Sequence, residues 1–385
     1  MTQTTVTAQA GRRGAPGRLR LAYDELVAFT AQVFEARGVP AERARTAATA
    51  LVYGDLSGVT SHGLTNLTRL YLKLFDDGRV KADARPRVLA DRGAAALLDA
   101  DQGLGLWVAH EAMTMAADRA AEYGVGLVSV SNSTHIGCAG YHAARAVSRQ
   151  MIGLIASNCG RQRIIRPPGA AVTMLGTNPL SLAAPAGPDR HPFVLDMSTT
   201  VVPTGRVRAQ ARAGLPAPEG WLENDRGEPV TDPSAFDRGE AHLMWLGGRP
   251  ETGAYKGYGL GLLVEILGAL LPGAGLGPEP EALAGDGGPS GRDDDIGFLA
   301  VAIAPGSLRP IEGFLGDADG LFGTLLDAPT ASGEGRVSYP GWHEAERARR
   351  HLRTGVPLTP GLFGELAEVG RDLGITPPTP LREES

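Results

Sequence analysis

A chain of 385 residues, 43% hydrophobic and 21% charged, is long enough to bury a core and ordinary in composition for a globular protein. Its 37 lysines and arginines are scattered among 43 acidic residues for a formal net charge of −6, which excludes the basic footprint of a nucleic-acid binder. The two cysteines, Cys138 and Cys159, exclude a disulfide framework, their spacing to the eight histidines fits no zinc pattern, and no run of 18 apolar residues offers a membrane span.

The opening residues carry Arg12 and Arg13 with no apolar segment after them, so a cytoplasmic protein with a disordered tail over residues 1–19 is expected. Leu26, Phe29 and Val33 fall at helical spacing and predict a helix over Tyr23–Ala36, stopped by Gly38 and Pro40. A second helix is expected over Ala41–Tyr53, and Leu67, Leu70 and Leu74 share a face before the Asp77-Gly78 turn. Residues 20–78 thus read as a helical N-terminal region, with His62 in a connection inside it.

Residues 79–341 change character. "AAALLDADQG" reads as a strand and turn, "WVAHEAMTMAADRAAEYG" as a helix closed by Gly124, and "VGLVSVSNS" as a buried strand. A helical "AARAVSRQ" follows, then short strands in "MIGLIASN", "SLAAPAG" and "FVLDMS". "ETGAYKGYGLGLLVEIL" opens a helix with Lys256 in its first turn, residues 272–295 form a long Gly/Pro-rich surface loop, and "GFLAVAIAP" is a strong strand. Strands interleaved with helices argue for an α/β domain. Residues 342–374 read as helices, expected to lie near the N-terminal region.

No G-x-G-x-x-G follows any strand, since "KGYGLGLL" has Leu262 where the last glycine is needed, so a Rossmann phosphate loop is absent. In "NSTHIGCAGYHAARA" a strand runs through Asn132 and His135 into Gly137 and Gly140, where small residues leave backbone N–H groups open to an anion. Asp196 ends a strand where a carboxylate can accept from a ribose hydroxyl. Lys256 at a helix start opposes the helix dipole and points to an anionic ligand. His110, His142, His191, His242 and His351 read as structural. Asp293, Asp294 and Asp295 read as a solvated loop tip without function.

Taken in order, "SHGLTNLTRL", "DDGRVKADARPRV", "DQGLG", "NSTHIGCAGY", "LGTNPLSLAAPAG", "VLDMSTT", "YKGYGLGLLVEIL" and "YPGWHEAERA" resemble the malate/L-lactate/L-sulfolactate dehydrogenase family, which includes ureidoglycolate, diketogulonate and cyclic-imine reductases. The resemblance runs from about residue 20 to the C-terminus. It implies an α/β fold of non-Rossmann type with a mixed, largely antiparallel sheet and a helical N-terminal region, a homodimer, a small-molecule substrate, and NADH or NADPH as cofactor. It implies His62 as proton donor with Ser61 beside it. Cofactor contacts fall to His135, Ile136, Gly137, Cys138 and Ala139, to Asp196, Met197 and Ser198, and to Lys256, Gly341 and Glu344. Asn66, Arg69, Thr177 and Arg208 take the substrate side.

Three positions depart from the family motifs: Asn66, Arg208, and Tyr255, where the family often has histidine before the lysine. The family pattern Ser-His-Gly-Val-x-Arg-Leu-x-Arg has Asn66 at the first arginine, a residue suited to a bidentate carboxylate clamp, while Arg69 matches the second. An acidic residue thought to support the catalytic histidine is Arg208 here, and a cation at that place would lower the pKa of His62. Two functional readings follow: an NAD(P)-dependent oxidoreductase with altered substrate, or a family member repurposed for non-redox catalysis or binding.

Overall fold

The computed structural model describes residues 19–331 and 335–381; the expected tail lies outside them except for Leu19, which starts a strand. That strand, β1 (Leu19–Leu21), leads into helices α1 (Tyr23–Ala36) and α2 (Ala41–Ser57). In α1 the residues Leu26, Val33 and Phe34 are fully buried, and in α2 the small Ala44, Ala47 and Ala48 let the two helices approach closely. Helix α2 runs one turn beyond its expected end and stops at Gly58, whose φ of 83° only glycine adopts freely. A 3-10 turn (Thr60–His62), a π-helical turn (Leu67–Tyr71) and α3 (Leu72–Asp76) complete this part.

Next come β2 (Arg87–Asp91), β3 (Ala95–Asp99), α4 (Gly105–Tyr123), β4 (Val125–Ser133) and a five-residue α5 (Ala139–Ala143). The helix expected over "AARAVSRQ" is thus mostly turn, with a 3-10 segment at Val147–Arg149. Strands β5 (Ile152–Ser157), β6 (Leu180–Ala184) and β7 (Phe193–Met197) precede α6 (Thr204–Ala213). A small sheet of β8 (Leu222–Glu223), β9 (Pro229–Val230) and β10 (His242–Leu243) encloses α7 (Ser234–Asp237) in sequence. Then follow α8 (Ala254–Glu265), β11 (Ile296–Ile303), α9 (Ile311–Leu326), α10 (Trp342–Thr354), β12 (Val356–Leu358) and α11 (Pro360–Leu373).

The main sheet has the order β2-β3-β4-β11-β5-β6-β7, and only the β3–β4 pair is parallel. The fold is therefore mixed α/β with a largely antiparallel sheet, as the sequence leads one to expect. Its register gathers particular chain ends: Ser133 faces Ile296, Ser157 faces Phe298, and Leu180 faces both Ala156 and Met197. The segments after β4, β5 and β7 and those before β6 and β11 consequently emerge at one end of the sheet. Helix α4 lies on β4 and β11, α10 packs on α2, and α11 on α1, while β12 pairs with β1. One core joins α1, α2 and α4 to the sheet. A second, built on Val207, Leu222, Phe236 and Trp245, surrounds the small sheet.

β2 forms one rim of the sheet, with Val88 and Leu89 exposed and a bulge between Val88 and Ala90. The other rim, β7, is covered where the Val194 amide donates to the Pro340 carbonyl. Among the described residues no helix is long and apolar enough to cross a membrane.

Gly126 of β4 has no room for a side chain: a Cβ there would run into the Ala116 carbonyl and stand 2.8 Å from the Arg119 Cβ of α4. Gly126→Leu is expected to cost about 1–3 kcal/mol or more in urea unfolding, as overpacking typically does. An unchanged midpoint would show that α4 can lift from the sheet without penalty.

Candidate functional site

His62 is placed by backbone contact. A Cβ on Gly54 of α2 would stand 2.7 Å from the Gly63 amide, and a Cβ on Gly63 would stand 2.6 Å from the Asp55 carboxyl carbon. Glycine on both sides lets the turn lie directly on the helix, and the Leu64 amide donates to Asp55 Oδ2 at 2.6 Å. The Ser61 hydroxyl lies 3.0 Å from His62 Nδ1, which leaves Nε2 for a ligand. Asn66 donates from Nδ2 to the Ser61 carbonyl at 2.9 Å, so it braces this turn. On the far side, a Cβ on Gly205 of α6 would stand 3.1 Å from the Ser61 Cβ, so the first turn of α6 abuts the motif.

The His135 ring faces that of His62, centroids 5.8 Å apart and planes 16° from parallel. Its Nδ1 accepts from the Gly137 amide at 3.2 Å and the Tyr71 hydroxyl at 2.8 Å, which puts the ring proton on Nε2. Both histidines keep a partly accessible edge in otherwise enclosed surroundings. Burial, and secondarily His135, hold His62 down at about 4; burial also lowers His135. His62 is depressed as anticipated, but not by Arg208.

The turn after His135 continues into the candidate cofactor contacts. Ile136, Cys138 and Ala139 are buried, and Gly137 has a φ of 75°. The Gly140 amide donates to Asp196 Oδ2 at 2.7 Å, tying this turn to the end of β7, where Met197 and Ser198 follow. Asp196 is reachable by solvent yet crowded by protein, and this desolvation lifts its carboxyl to about 6, with Glu344 a lesser cause. Gly341, at φ 91°, has room for a Cβ only 2.8 Å from the Val194 amide, so the start of α10, carrying Glu344, docks on β7 beside Asp196. His142 is the structural residue the sequence suggests: fully buried, its Nε2 lies 2.7 Å from the Ile136 carbonyl.

Thr177 joins the same end of the sheet. Its carbonyl accepts the Thr199 amide at 3.0 Å, the Thr199 carbonyl accepts the Leu246 amide at 3.0 Å, and the Leu246 carbonyl accepts the Gly257 amide at 3.2 Å. This relay brings the first turn of α8, with exposed Lys256, toward β6 and β7.

Two expected substrate residues are engaged elsewhere. Arg208 pairs with Asp237 of α7 at 2.9 Å, which balances its charge and removes it as a free clamp. Arg69 faces Glu365 of α11 at 3.5 Å. The aspartate triplet is no solvated tip: Arg79 pairs with Asp293 at 2.5 Å and with Asp294 at 2.6 Å, and Asp295 accepts the Asn132 amide at 2.9 Å. The Asp295 bond fastens the 272–295 loop to β4, and the Arg79 pairs fasten it to the turn after α3. Two residues of the site carry no signal in the sequence: Tyr71 reads as one apolar position among leucines, and Asp55 as a polar residue near a helix end.

The sequence model of the malate/L-lactate dehydrogenase family matches residues 21–367. The chain belongs to this family. It is 32% identical over 358 residues to the malate dehydrogenase of Pyrococcus abyssi, covering 93% of this chain and 96% of that one. It is 33% identical over 294 residues to the (2R)-3-sulfolactate dehydrogenase (NADP(+)) of Chromohalobacter salexigens, covering 76% and 83%. The crystal structure of malate dehydrogenase from Entamoeba histolytica superposes with a TM-score of 0.85 at 28% identity, over 94% of this chain and 99% of that one. The protein is an oxidoreductase, and the resemblance seen in the sequence holds.

Burial holds His142 down at about 3. A lowered histidine contributes stability that is complete above the unfolded value near 6.5 and is lost as pH falls through the folded value. His142→Gln is therefore expected to flatten the fall in urea stability between about pH 6.5 and 4. An unaltered slope would assign that acid sensitivity to other groups.

Proposed function

We propose that the protein is an NADH- or NADPH-dependent reductase of a 2-oxo acid, cyclic imine or related intermediate, with His62 exchanging the proton. The observation that carries this reading is the His62–His135 pair, nearly parallel and partly accessible at the end of the sheet where Asp196 and Thr177 also emerge. The residues fit a nicotinamide nucleotide. The Gly137 and Gly140 amides are bonded to His135 Nδ1 and Asp196 Oδ2 and are not open to an anion as expected, but the Asp196 carboxyl stays reachable by a ribose hydroxyl. Lys256, Gly341 and Glu344 complete the set on two further elements. When bound, such a cofactor supplies the hydride.

The protein's part is orientation and the proton. Ser61 occupies His62 Nδ1, so Nε2 is the atom that meets the reacting oxygen. At neutral pH the enclosed ring is uncharged, the state that accepts a proton from a 2-hydroxy group. An anionic substrate beside it favours the imidazolium form and so equips His62 to donate in the reductive direction. Asn66, committed to the Ser61 carbonyl, provides no cationic clamp, which moves substrate choice away from simple 2-oxo acids. The alternative, a repurposed non-redox protein, draws chiefly on Asn66, because Arg208 is paired with Asp237.

We also propose a homodimer. Leu263, Ile266 and Leu270 are 41%, 53% and 59% exposed on one face of α8 and the π-helical turn that continues it. Such an apolar stripe fits an interface better than solvent.

Fluorescence titration is expected to show saturable NADH or NADPH binding, weakened by Lys256→Ala; no binding of either at millimolar concentration would remove the oxidoreductase reading. Wild-type protein is expected to reduce pyruvate and oxaloacetate poorly and Asn66→Arg to do so better, while His62→Ala lowers turnover by about 10²- to 10⁴-fold with cofactor binding retained. Efficient wild-type turnover of those acids would show that position 66 does not set specificity. Light scattering is expected to give twice the 40.1 kDa chain mass, and a monomer mass would contradict the dimer.

A further inference from the structure

Asp55 has no part in the reaction drawn above, yet it is an enclosed carboxyl pressed against Gly63, the residue that follows the reacting histidine. It is 2% exposed. Its Oδ2 accepts the Leu64 amide, and its Oδ1 is buried without a hydrogen-bond partner. The carboxyl lies against the Cα of Gly63, so closely that only glycine fits there. An asparagine would accept the same amide with no charge to desolvate, so holding Leu64 does not by itself call for an acid. What the acid adds is a proton that can come and go.

We propose that Asp55 is the positioning residue for His62, its carboxyl pinning the Gly63–Leu64 backbone so that the ring stays across from His135. The proposal rests on His62 as the proton-exchanging group. Burial lifts Asp55 to about 7, so it is neutral below that pH and a carboxylate above it. The carboxylate accepts the Leu64 amide more strongly and tightens the turn. The other ionisable groups around it are Tyr53 on α2, His62 in the turn, Cys138 ahead of α5, and Arg347 and His351 of α10. The last two bond the carbonyls of Ser57 and Leu56, so they hold the helix end without neutralising the carboxyl.

The test uses the full chain with isotope-labelled histidine and leucine, as wild type, Asp55→Asn and Asp55→Ala, followed by NMR from about pH 5 to 9. In the wild type the Leu64 amide and the His62 ring are expected to shift together in a step near neutral pH. Asp55→Asn keeps the Leu64 amide protected and loses the step; Asp55→Ala loses the protection. Superimposable Leu64 and His62 titrations in wild type and Asp55→Asn overturn the proposal. On any 2-oxo acid the wild type reduces, Asp55→Asn is expected to displace the pH profile of kcat. Asp55→Ala should lower kcat by about 10²-fold with NADH affinity changed less than about twofold. Loss of cofactor binding in step with kcat marks a purely structural residue and also overturns it. If Asp55→Ala does not fold, Asp55→Asn decides alone. A wild type that binds no nicotinamide nucleotide defeats the oxidoreductase reading, while the NMR comparison still decides the role of Asp55.

Discussion

Helix α2 and the turn that carries His62 meet with glycine on both sides, Gly54 against the Gly63 backbone and the Asp55 carboxyl of α2 against the Gly63 Cα. That contact transmits the precision of the hydrophobic core to a loop. Helix α2 is itself held by α1, α4 and α10, and α4 lies across β4, the strand that delivers His135. The two histidines come from segments more than 70 residues apart, yet a single core locates both. Rigid elements position reacting groups better than loops do, and here the loop is made rigid by being pressed onto a helix.

Enclosure acts alike on several buried ionisable groups near that contact. It lowers His62 and His135, and raises Asp55, Asp196 and the Cys138 thiol. Each group is driven toward its neutral form. Such enclosed groups respond strongly to charge brought near them, because attraction is least screened where water is excluded.

Periodicity made much of the architecture legible. The limits of α1, the glycine that ends α4, and the strands β3 to β7 and β11 follow from apolar spacing and turn residues, because long buried elements impose those patterns. The two-residue strands of the small sheet and α6, whose only buried residue is Val207, leave no such trace. In the site, the family motifs led to His62, His135 and Asp196, which the fold does bring to one end of the sheet. Arg208 and the aspartate triplet were misread because charge in a sequence says nothing of its partner; Asp237 and Arg79 supply those partners from distant segments. Tyr71 and Asp55 were missed because a residue that serves a neighbour through one hydrogen bond carries no pattern of its own.

The rim strand β2 has consequences at the scale of many molecules. An open edge exposing Val88 and Leu89 is a template onto which another chain's strand could add, the first step of sheet-to-sheet aggregation. The bulge between Val88 and Ala90 breaks the regular ladder at that point, and Arg87 and Asp91 at the two ends are engaged by Asp99 and Arg119. A strand arriving from another copy meets an interrupted row of donors and acceptors flanked by charge. The bulge and the flanking charges thus work against another copy's strand pairing edge to edge at β2.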